Sequence, residues 1–228
     1  MNKNISTLIL CGGKGSRLKD IGKKIPKCLI KVNNKHFIEH IMDGLNLKII
    51  NKIIISGFYK YNVLYKNINK LKLNKVYLHN DGDISILQRI KKNLIREKQK
   101  LLVCYGDELA DIDLKKLILS HIKSKKLITI STIKLKSNFG FLRKKDEKYF
   151  FDEKPLIGYC NIGYMLFSYE NLEHIGKMKS ITKYISKMGN RREINRYVHN
   201  KEHITINTLD DLLIAQNKVK NINEKNQI

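Results

Sequence analysis

A chain of 228 residues with 45 Lys+Arg against 21 Asp+Glu carries a formal net charge of +24 and is long enough to bury the core of one enzyme-sized domain. Its apolar runs fall short of the ~20 residues that span a bilayer, and Met1-Asn2-Lys3-Asn4 lacks a signal peptide's apolar stretch, so a soluble cytoplasmic protein is expected. The charge suits a nucleic-acid partner, but the lysines are spread among isoleucines and asparagines as an AT-rich coding bias leaves them, without helix-turn-helix, RNP-like or zinc-finger patterning, so no specific nucleic-acid function is expected.

In chain order, short apolar runs predict strands over residues 7–10, 52–56, 75–79, 100–105, 127–133, 149–152 and 163–167. Amphipathic stretches predict helices over 37–47, 59–71, 84–97, 114–124, 171–175 and about 210–219, the last with Thr208 as N-cap. Strands alternating with helices spell an α/β fold, a Rossmann-like, mostly parallel sheet with helices on both faces. It is expected as a single domain over residues 1–220 with a frayed polar tail over 221–228. Cys11, Cys28, Cys104 and Cys160 lack C-x-x-C spacing and read as small buried residues in a reducing compartment.

The first chemical signal is the apolar run Leu8-Ile9-Leu10 emptying into Cys11-Gly12-Gly13-Lys14-Gly15-Ser16-Arg17-Leu18, with Pro26-Lys27 behind it. A glycine loop lets backbone N–H groups approach phosphate oxygens, Arg17 offers a planar fork and Lys27 a point charge. The spacing is neither that of the P-loop nor that of G-x-G-x-x-G. The second signal is an apolar strand that stops at Tyr105-Gly106-Asp107, placing a carboxylate at a sheet's carboxyl edge, where it suits Mg²⁺. Asp111 or Asp113 reads as the cap of the next helix, and His121 as a positive charge at that helix's end.

Gly12, Gly13, Gly15, Ser16, Arg17, Leu18, Pro26 and Lys27 together resemble the signature of the nucleotide-sugar pyrophosphorylases, nucleotidyltransferases that join a nucleoside triphosphate to a phosphorylated acceptor and release pyrophosphate. Tyr-Gly-Asp at 105–107, Ala-Asp-Ile-Asp at 110–113 and Asn138-Phe139-Gly140-Phe141-Leu142 are similar to the glucose-1-phosphate cytidylyltransferase branch. The resemblance implies CTP as donor, a sugar 1-phosphate as acceptor, Mg²⁺ as cofactor and a role in surface-polysaccharide precursors. A non-sugar acceptor such as phosphoglutamine and a non-catalytic nucleotide binder are the alternatives, and a homo-oligomer is left open.

Carried over residue by residue, the resemblance makes Arg17, Lys27 and Asp107 catalytic. Leu10, Gly12, Gly13, Gly15, Ser16, Ser85 and Arg89 join Arg17 and Lys27 around the nucleotide. Phe151-Asp152-Glu153-Lys154-Pro155 matches the family's Glu-Lys-Pro, which gives Lys154 the acceptor's phosphate and Glu153 and Asn161 its body. Ile206-Asn207-Thr208 aligns with the family's Asp-Thr, so Asn207 stands where the second metal ligand is an aspartate and offers an oxygen without a charge. At the base pocket, Leu87-Gln88 replaces a pair of glycines ahead of Arg89.

Overall fold

The computed structural model describes residues 5–15, 18–45 and 48–225. The chain begins with β1 (Ile5–Cys11), α1 (Lys19–Lys24), a 3₁₀ turn (Lys27–Leu29), the short hairpin β2 (Lys31–Val32) and β3 (Lys35–His36), and α2 (Phe37–Asp43). It continues through β4 (Ile53–Gly57), α3 (Tyr61–Lys70), β5 (Val76–Asn80), α4 (Ile86–Glu97), β6 (Lys100–Tyr105), β7 (Glu108–Ala110) and α5 (Leu114–Ser124). The second half comprises β8 (Ile128–Lys136), the hairpin β9 (Phe141–Lys145) and β10 (Lys148–Asp152), and β11 (Leu156–Phe167). It closes with α6 (Asn171–Ile175), α7 (Ile181–Asn190), β12 (Ile194–Val198), β13 (His203–Thr205) and α8 (Leu209–Lys225).

Seven strands form one sheet in the order β12-β8-β11-β6-β1-β4-β5. β4 and β6 flank β1 in parallel, β5 is parallel to β4, and β12 to β8, while β11 runs antiparallel to both β6 and β8. The sheet is therefore mostly parallel, and its apolar strands are buried on both faces as parallel sheets require. Alternate residues of each strand feed two cores. Ile9, Ile53, Ile55, Leu102 and Cys104 pack with α2, α3, α5 and α8 on one face, and Leu8, Ile54, Leu101 and Val103 with α4, α6 and α7 on the other. Each such side chain contributes about 1.5–3 kcal/mol of burial.

This topology decides where the site lies. The chain leaves β1 for β4 on one side, and β6 later takes the other side, so a crevice opens at the carboxyl ends of β1 and β6. Leu10 pairs with Tyr105 and Cys11 with Gly57 at that edge.

Several elements differ from the sequence reading. The strand expected over 163–167 runs from Leu156, and β9, β12 and β13 were not expected, nor were α1 and α7. The helix expected over 37–47 stops at Asp43, where the Gly44 N–H closes it on the His40 carbonyl, and residues 46–47 lie outside the described ones. α8 continues to Lys225, through part of the stretch expected to fray. Cys11, Cys28 and Cys104 are buried as expected, but Cys160 is exposed because it sits on the outlying half of β11.

Candidate active site

The crevice between β1 and β6 holds a cavity of about 330 Å³, whose walls include Leu10, Gly12, Gly13, Lys27, Arg89 and Asp107. Six of the predicted positions thus converge, although Asp107 is 80 residues from Lys27 in sequence. Ser16 and Arg17 lie outside the described residues.

The glycine loop is set by close approaches. A Cβ on Gly12 would stand 2.9 Å from the guanidinium carbon of Arg89, so only glycine lets the loop lie on that buried arginine. A Cβ on Gly22 would stand 2.2 Å from the Gly15 carbonyl oxygen, so α1 is packed directly against the loop's far end. Gly22 escapes a sequence reading because a lone glycine in a short helical stretch looks like a weak helix position, not a contact.

Arg89 is 5% exposed. Its Nη1 donates to Ser56 Oγ at 3.0 Å and to the Gly57 carbonyl at 3.1 Å, and its Nη2 donates to the Gly82 carbonyl at 2.6 Å. Burial lowers its pKa while Asp81 and Asp83 oppose the fall, and it stays cationic. The guanidinium expected to meet the nucleotide is thus engaged by the ends of β4 and β5, and it shapes the cavity floor. Asp81, beside it, accepts from Ser56 Oγ at 2.6 Å and pairs with Lys92 and Arg96 at 3.2 and 3.0 Å. Burial pushes its carboxyl up, but these partners prevail and hold it below the ordinary value. Ser85 is the N-cap of α4, accepting from the Gln88 N–H at 3.3 Å. Leu87 lies in the core and Gln88 donates to the Met178 carbonyl, so the pair that replaces the glycines ties α4 to the neighbouring helices.

Lys27, Asp107 and Asn207 form the polar centre. Lys27 Nζ donates to Asp107 Oδ2 at 2.5 Å and to Asn207 Oδ1 at 2.8 Å. Buried Cys28 and Leu29 anchor the 3₁₀ turn that presents Lys27. Asp107 is fixed by its neighbours, since the Gly106 N–H donates to the Leu10 carbonyl and the Ile206 N–H to the Asp107 carbonyl. Asp211 accepts from the N–H groups of Asn207 and Thr208 at 2.8 and 2.9 Å, and Thr208 Oγ1 accepts in return from the Asp211 N–H. Burial raises the Asp211 carboxyl, and those N–H groups bring it below its usual value. Thr208 therefore caps α8 as expected.

Asp107 and Asn207 offer two hard oxygens that meet at one point, which fits Mg²⁺ completing its shell with phosphate and water. Among the described residues no group of three His, Cys, Asp or Glu side chains could hold a metal alone.

The residues expected to meet the acceptor stand apart from this centre. Glu153 and Lys154 occupy the exposed turn between β10 and β11, and neither lines the cavity. Asn161 Oδ1 accepts from the Gly163 N–H at 3.0 Å where β11 bulges. Asn161 pairs with Thr132 of β8 on the far side of the bulge that separates it from Met165.

Asp113 caps α5 by accepting from the Lys116 N–H at 3.0 Å, whereas Asp111 pairs with Lys201 at 3.0 Å. His121 is no helix-end charge. It is buried between Thr129 Oγ1 at 2.8 Å and Ser168 Oγ at 2.9 Å, and burial, aided by the field of Lys100, pushes its pKa down to about 4.

The chain is similar to several known proteins. The sequence profile described as Nucleotidyl transferase matches residues 6–221. A D-glycero-alpha-D-manno-heptose 1-phosphate guanylyltransferase of Campylobacter jejuni is 36% identical over 121 residues, 52% of this chain and 55% of that protein. The chain thus spans about half the length of that relative. A Bacillus subtilis protein named as a probable glucose-1-phosphate cytidylyltransferase is 26% identical over 203 residues, 76% of this chain and 78% of its own length. The crystal structure of HddC from Yersinia pseudotuberculosis shares the fold, with a TM-score of 0.73 at 23% identity over 93% of this chain and 98% of that one.

Proposed function

Because this chain belongs to the nucleotidyl transferase family, we propose that it joins a nucleoside triphosphate to a sugar 1-phosphate and releases pyrophosphate. The observation that carries the reading is that Asp107 and Asn207 both meet Lys27, and that Lys27 and Asp107 line the glycine-loop cavity. A phosphate acceptor is already ionised, so its attack on the α-phosphorus in line with pyrophosphate needs no general base. Catalysis then consists of positioning and charge neutralisation. The N–H groups of the loop over 12–15 and Arg17 hold the outer phosphates, and Lys27 neutralises charge gathering at the α-phosphate. Asp107 and Asn207 would hold Mg²⁺, which when bound would neutralise phosphate oxygens. Glu153, Lys154 and Asn161 face the acceptor, a reading supported by the resemblance of residues 151–155 and 160–163 to the family's motifs.

CTP is the preferred donor, supported by the motifs over 105–142 and by the Bacillus subtilis relative's name. GTP is the second reading, favoured by the guanylyltransferase of Campylobacter jejuni. Pyrophosphate release with Mg²⁺, each of the four ribonucleoside triphosphates and a panel of sugar 1-phosphates, with phosphoglutamine included, tests both. Release with one donor and one acceptor names the substrates. Silence across the panel, with nucleotide still bound, supports a non-catalytic binder instead.

A further inference from the structure

We propose that Lys27 and a divalent cation compete for the same two oxygens, so that the cation enters this site together with the triphosphate and not ahead of it. On the nucleotidyltransferase reading, on which this rests, the competition governs how the site loads. Lys27 Nζ stands 2.5 Å from Asp107 Oδ2 and 2.8 Å from Asn207 Oδ1. A Mg²⁺ ligated by both oxygens, at about 2.0–2.1 Å from each, must lie between them in the space that Nζ fills, with the two side chains drawn in by about half an ångström. Two cations cannot share that point, so a bound metal displaces the ammonium. The charges set the order of events. Asp107 brings one negative charge and Asn207 none, so with Lys27 in place the pair is already neutral and attracts a second cation weakly. A triphosphate supplies several anionic oxygens, which both receive the displaced ammonium and complete the metal's shell.

The same geometry shows how an asparagine serves where an aspartate would need no help. The two ends of an amide differ, so Asn207 works as an oxygen donor only if something holds its nitrogen away from the cation. Asn207 Nδ2 donates to Thr205 Oγ1 at 2.9 Å, and Thr205 Oγ1 donates to Glu108 Oε1 at 3.1 Å. An ionised carboxylate only accepts, so the Thr205 proton must go to Glu108, which leaves a lone pair for the amide nitrogen and turns Oδ1 toward Lys27. His203 Nε2, 2.6 Å from Glu108 Oε2, fixes the carboxylate from its other side. Thr205, Glu108 and His203 are positioning residues for this oxygen.

The test is Mn²⁺ binding to the nucleotide-free full chain, read from the loss of the free-ion electron paramagnetic resonance signal, so no turnover is needed. Lys27→Met is expected to bind Mn²⁺ about tenfold more tightly than the wild type, since it removes one cation at contact distance from a part-exposed site. Thr205→Val is expected to weaken Mn²⁺ binding to Lys27→Met about tenfold, as the loss of an outer-shell partner does, and Thr205→Ser to restore it. A second measurement uses the wild type alone. Saturating Mg²⁺ should raise acylation of Lys27 relative to the other lysines, read by mass spectrometry. A folded Lys27→Met chain that binds Mn²⁺ no more tightly, or Lys27 acylation unchanged at a cation concentration shown by the Mn²⁺ signal to fill the nucleotide-free site, overturns the competition. Failure to release pyrophosphate with any substrate would leave these readouts unaffected and would count against the enzyme reading alone.

Discussion

Arg89 offers the sharpest test of how the cavity is built, because sequence resemblance makes it a nucleotide contact and the structure makes it a pin. Arg89→Met keeps most of the volume but removes three hydrogen bonds, to Ser56 Oγ and to the carbonyls of Gly57 and Gly82. Those acceptors are left inside a protein where the arginine itself is 5% exposed. Hydrogen bonds to a charged group contribute about 1.5–3 kcal/mol each, and breaking a buried charged network costs about 3–5 kcal/mol, so a loss near 4 kcal/mol is expected. Asp81 keeps Lys92 and Arg96, which prevents a larger loss. For a domain of this size that is a fall in Tm of about 10 °C. Urea unfolding with an unchanged slope gives the stability, and nucleotide binding measured well below the transition gives the affinity. The structure predicts a large loss of stability with affinity reduced only a few-fold. Stability within about 1 kcal/mol of the wild type, together with a collapse of nucleotide affinity, would refute the reasoning and return Arg89 to the ligand.

Gly22→Ala should destabilise the chain by about 1–3 kcal/mol and raise the KM for nucleotide, because its Cβ meets the Gly15 carbonyl at 2.2 Å. An ordinary helix position would instead gain from alanine, so the sign of the change in denaturation decides. His121→Asn should remove an acid sensitivity. The folded pKa of about 4 lies below the unfolded 6.5, so the stability is fully present above pH 6.5 and is lost as the pH falls toward 4. The wild type should therefore lose about 2 kcal/mol between pH 7 and pH 5 that the variant does not, by urea titration at both pH values. Asn207→Asp should lower the Mg²⁺ concentration for half-maximal pyrophosphate release by several-fold, as a second carboxylate strengthens the cation's hold. An unchanged Mg²⁺ requirement would remove Asn207 from the metal site.

Most of the central sheet was legible because its strands are short apolar runs buried on both faces, and β6 and α5 match the expected bounds residue for residue. β12 was not, since Asn195 and Arg196 break its apolar pattern. Its arginine stacks on Tyr159 at 3.6 Å, a partner that no local pattern reveals. α7 carried a readable signal in Ile181, Tyr184, Ile185 and Met188 at helical spacing behind the cap Ser180. At the site, the family resemblance singled out Lys27, Asp107 and Asn207, and the structure brings Lys27 into hydrogen-bond contact with the other two, across 180 residues of sequence for Asn207. The employment of Arg89 and Ser85, the burial of His121 and the Thr205–Glu108 support of Asn207 were hidden, because each depends on which groups face one another after folding.

The most direct measurement is Mg²⁺-dependent pyrophosphate release by the wild type and by Lys27→Ala, each shown to be folded by its unfolding transition. The wild type should release pyrophosphate with a nucleoside triphosphate and a sugar 1-phosphate, and Lys27→Ala should lose about 10²–10³-fold in kcat, as removal of one preorganised electrostatic donor does. A folded Lys27→Ala chain that turns over at the wild-type rate would contradict the central role given to Lys27 beside Asp107 and Asn207.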